Sequence, residues 1–362
     1  MVMMSEWLPY AARVERAKAF YARRNDRPLL GFFTDDEYPL RRYPRGAATL
    51  PAGRPLRPED LRPDAFLEDG DRLHERHEAC GGDLIWSADA FWGVPWLEAA
   101  LGCPIIADPA TGSIHAEARP GFRGAADLPE FDPAAPWCAK IVEFLAVTAR
   151  HAGGRYPLGT TRMRGVADLL ATLYGGEGMV MAMLEQPEEV AAVCAKLTDF
   201  WIAFARLQLA HIPLFHGGVG SFYYSLWAPP GTVWHQEDSA TLLSPDLFAQ
   251  FIRPCDARVV AALPQVILHM HPARFLPVAD WLELGFATLE LHVDEGGPGA
   301  PELYDTHRRI LERSPLLIWG RLSDRDLDWI FSRLPPRGLA VNAVVAGPDE
   351  ARRIRERYGS PA

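Results

Sequence analysis

"QVILHMHPARFLPVADWLELGFATLELHV", residues 265–293, holds two short apolar runs, QVILHMH (265–271) and ATLELHV (287–293), on either side of a longer amphipathic stretch. Each run is nearly continuous in apolar residues, the pattern of a strand covered on both faces in a parallel sheet. The same rhythm recurs outward from this unit. PLLGFF (28–33), GDLIWS (82–87), RYPLGTT (155–161), IPLFHGGVG (212–220), PLLIWG (315–320) and LAVNAVV (339–345) bring the strand candidates to eight. Helical patterns separate them, as in SPDLFAQFIRPCDARVVAAL (244–263), where Ser244 suits an N-cap and Pro245 the first helical position. Eight such units predict an α/β fold of the (β/α)8 TIM-barrel class over 28–362, preceded by an N-terminal helical extension, 1–27. Two stretches leave this rhythm. Residues 44–64, rich in Pro, Arg and Gly, read as a surface loop or lid, and 101–136 as a β-hairpin excursion with a Pro-rich connector.

Composition narrows the partners. The chain has 362 residues, 48% hydrophobic, enough for a large core. Its net charge of −10 argues against nucleic acid or an anionic membrane as partner, since both select basic surfaces, and leaves a small molecule as the expected one. Five cysteines without a C-x-x-C pair, and an N-terminus lacking the pattern of a signal peptide, lead to the expectation of a reduced, cytoplasmic protein. No apolar run approaches the ~18 residues needed to span a bilayer.

The run QVILHMH ends on two histidines. Alternate strand residues share a face, so His269 and His271 point one way and Met270 the other. Converging imidazoles at a strand end can bind a metal, bind an anion, or form a hydrogen-bonded corner. Strand ends in a barrel open into a common pocket, which puts His292 of the next strand within reach, with Glu290 and Asp294 as reserve ligands. Arg162 and Arg164, two apart, can clamp an anionic group or be used up in salt bridges. Asp238 can serve as a general acid or base, or cap a turn. Tyr223, Tyr224 and Trp227 can wall a planar or cationic substrate, or simply fill the core. His235 and His216 read as surface or packing residues.

Several motifs, in order, resemble the uroporphyrinogen decarboxylase superfamily: YPLGTTRMRGVADLLATLYGGEGMVMAMLEQPEEV (156–190), HQEDSATLLSPDLFAQFIRP (235–254), LHMHPARFLPVADWLELGFATLELHVD (268–294) and LLIWGRLS (316–323). The resemblance spans roughly 28 to 358 and implies a TIM barrel. It also implies one of two chemistries, cofactor-free porphyrinogen decarboxylation or zinc-dependent methyl transfer involving corrinoids or thiols. The decarboxylases' arginine motif after the first strand is replaced by GFFTDDEYPLRRYP (31–44). His269 and His271 stand where the methyltransferases carry His-x-Cys, and His292 stands near their acidic ligand. Asn342 occupies the eighth-strand region in place of cysteine. The expectation is therefore a methyltransferase-like enzyme holding zinc or another divalent metal at His269, His271 and His292, with any corrinoid supplied through a partner protein. Two alternatives stand beside it. One is a metal-free decarboxylase using His269 or His271 as acid/base, and the other a non-catalytic small-molecule-binding barrel.

Overall fold

The computed structural model describes residues 8–34 and 36–359. Its centre is a six-stranded parallel sheet formed by β1 (Leu29–Thr34), β6 (Thr232–Gln236), β7 (Gln265–Met270), β8 (Thr288–Val293), β9 (Leu316–Gly320) and β10 (Leu339–Val345), in the order β1-β10-β9-β8-β7-β6. Two antiparallel pairs stand apart from it: β2 (Ile105–Asp108) with β3 (Ser113–Ala116), the expected hairpin excursion, and β4 (Val219–Ser221) with β5 (Leu226–Ala228). Helices join the parallel strands. Val278–Leu284 lies between β7 and β8, Tyr304–Arg313 between β8 and β9, and Asp324–Arg333 between β9 and β10. Every residue of β1, β8, β9 and β10 is buried, because side chains fill one face of the sheet and helices cover the other. Ser323 and Asp326 cap the helix Asp324–Arg333 reciprocally, and Gly285 at φ +84° ends the helix Val278–Leu284, so the sequence delimits its own turns.

Between β1 and β6 the order continues through extended segments held by single bridges instead of ladders. Asp83 N–H donates to the Leu30 carbonyl at 2.7 Å, Ala88 bridges Leu158, and Arg164 bridges Gln236. Gly31 permits the first approach, since a Cβ there would overlap the Leu84 side chain.

The fourth expected strand is displaced. Residues 212–220 do not enter the parallel sheet. They turn at His216 and Gly217, both at positive φ, and lead into the β4–β5 hairpin, while TVWHQ at 232–236 takes the place in the sheet. The turn breaks the apolar run, and the Trp227 indole donates to the Phe215 carbonyl across it at 2.8 Å. The 44–64 stretch is more packed than a free lid, with short helical turns at Pro44–Ala47, Pro58–Asp60 and Pro63–Phe66 and with Leu56 and Leu61 buried. Of the N-terminal extension, the helix Tyr10–Tyr21 is described, and residues 1–7 lie outside the described residues. Among the described residues no helix is long and apolar enough to cross a membrane.

Candidate active site

The carboxyl ends of β6 to β9 open into a cavity of about 490 Å³. Strand alternation selects what faces it. From β6 and its extension, Trp234, Gln236 and Asp238 line the cavity, while His235 and Glu237 point the other way. β7 and the residue after it supply His269 and His271; β8 and its loop supply His292, Asp294 and Glu295; β9 supplies Trp319. Arg162, Trp92, Phe222, Tyr223 and Glu37 complete much of the wall from distant parts of the chain.

Each of the first two histidines is held from behind by a carboxylate. His269 Nδ1 bonds Glu290, which is fully buried and also accepts from the Tyr224 hydroxyl at 2.8 Å. The Trp234 ring stacks on the His269 imidazole at 5.3 Å and fixes its plane. His271 Nδ1 bonds Asp294 Oδ1 at 2.6 Å. With both Nδ1 atoms engaged, the two Nε2 atoms face each other across 3.0 Å. Asp238 offers a carboxylate to the same point. One donor atom each from Asp238, His269 and His271 lies within 4.8 Å of the others, and Asp238 Oδ1 is buried with no hydrogen-bond partner among the described residues. A second compact group, His271, His292 and Asp294, shares His271 with the first. The three expected ligand histidines thus meet in one cavity, with ring centroids 4.7 to 6.3 Å apart, but the compact donor sets pair two of them at a time with a carboxylate.

The charge environment distinguishes the rings. Burial disfavours the His271 imidazolium, but the bond from Asp294 and the charges of Asp238, Asp294 and Glu290 outweigh it and raise its pKa to about 9. His292 is driven down to about 3 by burial and by its two histidine neighbours, so it stands neutral with Nδ1 unbonded among the described residues.

Other expected site residues divide. Arg162 lines the cavity, its guanidinium 5.7 Å from the Trp92 ring and its Nε buried without a hydrogen-bond partner among the described residues. Arg164 does not join it. The guanidinium is taken by Glu98 at 3.0 Å and Asp168 at 3.7 Å, two carboxylates with almost no exposure. Tyr223 lines the cavity, whereas Tyr224 sits beneath His269 as a support and Trp227 packs away from the cavity against Phe215. Glu290 and Asp294, expected as reserve ligands, act as the partners that orient His269 and His271. The acidic pair Asp35 and Asp36 that follows the run PLLGFF reads from the sequence as a partner for a cationic substrate or for Arg41; Asp35 lies outside the described residues.

His235 is neither a surface nor a simple packing residue. Fully buried on the outer face of β6, it bonds Asp256 at 3.1 Å and lies 3.5 Å from Glu237. Asp256 also accepts from the Trp281 indole at 2.8 Å, and Glu237 accepts from the Val166 and Ala167 amides, capping the helix Val166–Tyr174. Burial pushes the His235 imidazolium down, yet its two carboxylate neighbours prevail and raise it to about 9. Sequence reasoning missed Trp92, Phe222, Trp234, Trp319, Glu37 and Glu295 at the cavity. For Trp234 the alternation of TVWHQED was a usable signal, placing Trp234, Gln236 and Asp238 on one face.

Together these features define a parallel α/β protein with a polar, aromatic-lined cavity at its strand ends, the position where such folds place reaction sites. No family profile and no curated protein sequence matches the chain. Among solved structures it is similar to a methyltransferase from Methanosarcina mazei, at 13% identity and a TM-score of 0.67, covering 96% of this chain and 99% of that one. The likeness shows the fold.

Proposed function

We propose that the chain is a barrel enzyme of the methyltransferase-like side of the uroporphyrinogen decarboxylase superfamily. In this reading the bridged segments between β1 and β6 complete an eight-membered ring of strands, and the cavity holds zinc or another divalent cation. The fold shared with a methyltransferase supports methyl transfer, and the carrying observation is the 3.0 Å approach of His269 Nε2 to His271 Nε2. A carboxylate on each Nδ1 favours the tautomer with its proton there and leaves a lone pair on each Nε2. Two lone pairs at that distance repel unless a cation or a proton lies between them. The nearby unpartnered oxygen of Asp238 favours the cation, giving two imidazoles and one carboxylate with positions left for substrate. A cation so held supplies Lewis acidity to a donor or acceptor atom. The chain's own contributions are orientation of His269 and His271 by Glu290 and Asp294, exclusion of water by the aromatic walls, and anchoring of an anionic group at Arg162.

A shared proton is the second reading, favoured by the raised pKa of His271, and it would suit metal-free decarboxylation with the pair as acid/base. A methyl-transfer assay with zinc-loaded protein, labelled methyl donors and a small thiol acceptor separates them. Label appearing on the thiol, and lost with a chelator, is the expected result. Chelator-insensitive CO₂ release from a carboxylic acid, without methyl transfer, would establish the decarboxylase instead.

A further inference from the structure

The cavity carries more aromatic and acidic character than a cation site needs. Trp92, Phe222, Tyr223, Trp234 and Trp319 line it together with Glu37, Asp238, Asp294, Glu295 and a single arginine, Arg162. The rings form a continuous arc. Tyr223 meets Trp319 at 4.5 Å and Trp92 at 5.2 Å, both edge to face, and Phe222 joins Trp92 to Trp234 at 5.6 and 5.4 Å. Phe33 stacks behind Tyr223 at 5.1 Å and makes the corner rigid. Four carboxylates against one guanidinium give the lining an excess of negative charge, which a divalent cation or a protonated His271 reduces without cancelling. Burial raises the Glu37 carboxyl above its usual range; the Arg321 charge opposes the rise, and the charges of Glu295 and Asp36 add to it. An excess of negative charge beside aromatic faces is the environment that binds a soft, weakly hydrated cation. Arg162 adds an opposite requirement, a buried donor without a partner among the described residues.

We propose that this cavity takes a small zwitterion bearing a methylated onium group, ammonium or sulfonium, together with a carboxylate. The onium group rests against Tyr223 and Trp319 near Glu37 and Glu295, and the carboxylate engages Arg162. The assignment rests on the reading of this cavity as a methyl-transfer site and names the class of its methyl-bearing ligand. Transfer of an onium methyl to an acceptor releases an uncharged amine or thioether.

The test is calorimetric titration of the purified full-length protein with trimethylammonioacetate and with 3,3-dimethylbutanoate, the same shape with carbon in place of the charged nitrogen. The onium compound is expected to bind about tenfold or more tightly than its isostere, as desolvated cation–π contacts of this kind support. Trp319→Leu should remove that preference and Trp319→Phe restore it, a pattern that a merely unfolded variant would not show. Arg162→Gln should weaken trimethylammonioacetate while leaving tetramethylammonium unchanged. Equal or tighter binding of the isostere, or no binding of either compound, overturns the onium assignment. Measuring zinc content on the same samples keeps the two ideas apart, because loss of zinc at His271→Ala tests the metal reading whatever the titrations give.

Discussion

Two clusters of histidine and carboxylate lie back to back across β6, built from the same residue types and put to opposite uses. On the outer face His235, Glu237 and Asp256 are sealed, and their acceptors are used by backbone amides and by the Trp281 indole. On the inner face Asp238, His269 and His271 leave two imidazole nitrogens and a carboxylate oxygen facing one another beside an open cavity. Both clusters could hold a metal by separation alone. The difference lies in access: the outer carboxylates are bonded, and His235 Nδ1, though without a hydrogen-bond partner among the described residues, is sealed in the core. A buried polar group with its partners in place acts as structure, and one left facing a cavity awaits a ligand.

This contrast is open to being broken by substitution. Asp256→Ala strands a buried imidazolium and an indole N–H, so it should lower unfolding stability by about 3–5 kcal/mol in urea titration and leave metal content unchanged. A similarly large stability loss from His271→Ala, whose side chain is 37% exposed, would erase the distinction, since the expected loss there is under ~1 kcal/mol.

The sealed cluster should also set a pH dependence. The His235 pKa of about 9 in the fold lies above the ~6.5 of an unfolded histidine. Its stabilisation is therefore complete below about pH 6.5 and is lost as pH rises through about 9, amounting to at most ~3 kcal/mol. Glu237, whose carboxyl burial raises to about 8, adds a loss of the same sign, so chemical denaturation between pH 6 and 9.5 should show the decline and show it flattened when His235→Gln is combined with Glu237→Gln. A decline of the same size in the double variant would assign it elsewhere. On the inner face the corresponding effect belongs to ligand affinity. Glu290→Gln, which weakens the hold on His269 Nδ1, should cost about 10–100-fold in metal affinity by competition with a chelator.

The two faces also differ in how far the sequence revealed them. His269 and His271 were legible because a two-residue spacing on an apolar run fixes a common face, and seven of the eight strand candidates fall on sheet strands or on the bridged segments between β1 and β6. The fourth was misread because the apolar run at 212–220 outweighed the five-residue TVWHQ, which follows Pro229, Pro230 and Gly231 and offers little length as a signal. The strand it displaced, Thr232–Gln236, is the one that carries His235 and Trp234. For Arg164 the sequence leaves anion clamp and salt bridge both open, because its partner Glu98 lies 66 residues earlier and local spacing carries no trace of that pair. The aromatic arc was hidden in the same way, being assembled from Trp92, Phe222, Tyr223, Trp234 and Trp319, which only the tertiary fold brings together.

The most direct test of the inner-face account is the metal content of protein purified without chelators, measured by elemental analysis on the native chain, Asp256→Ala and His271→Ala in parallel. The account predicts about one divalent cation per chain in the first two and almost none in His271→Ala, with the fold of that variant intact by circular dichroism. Native protein without stoichiometric metal after incubation with zinc, or full retention in His271→Ala, would contradict it.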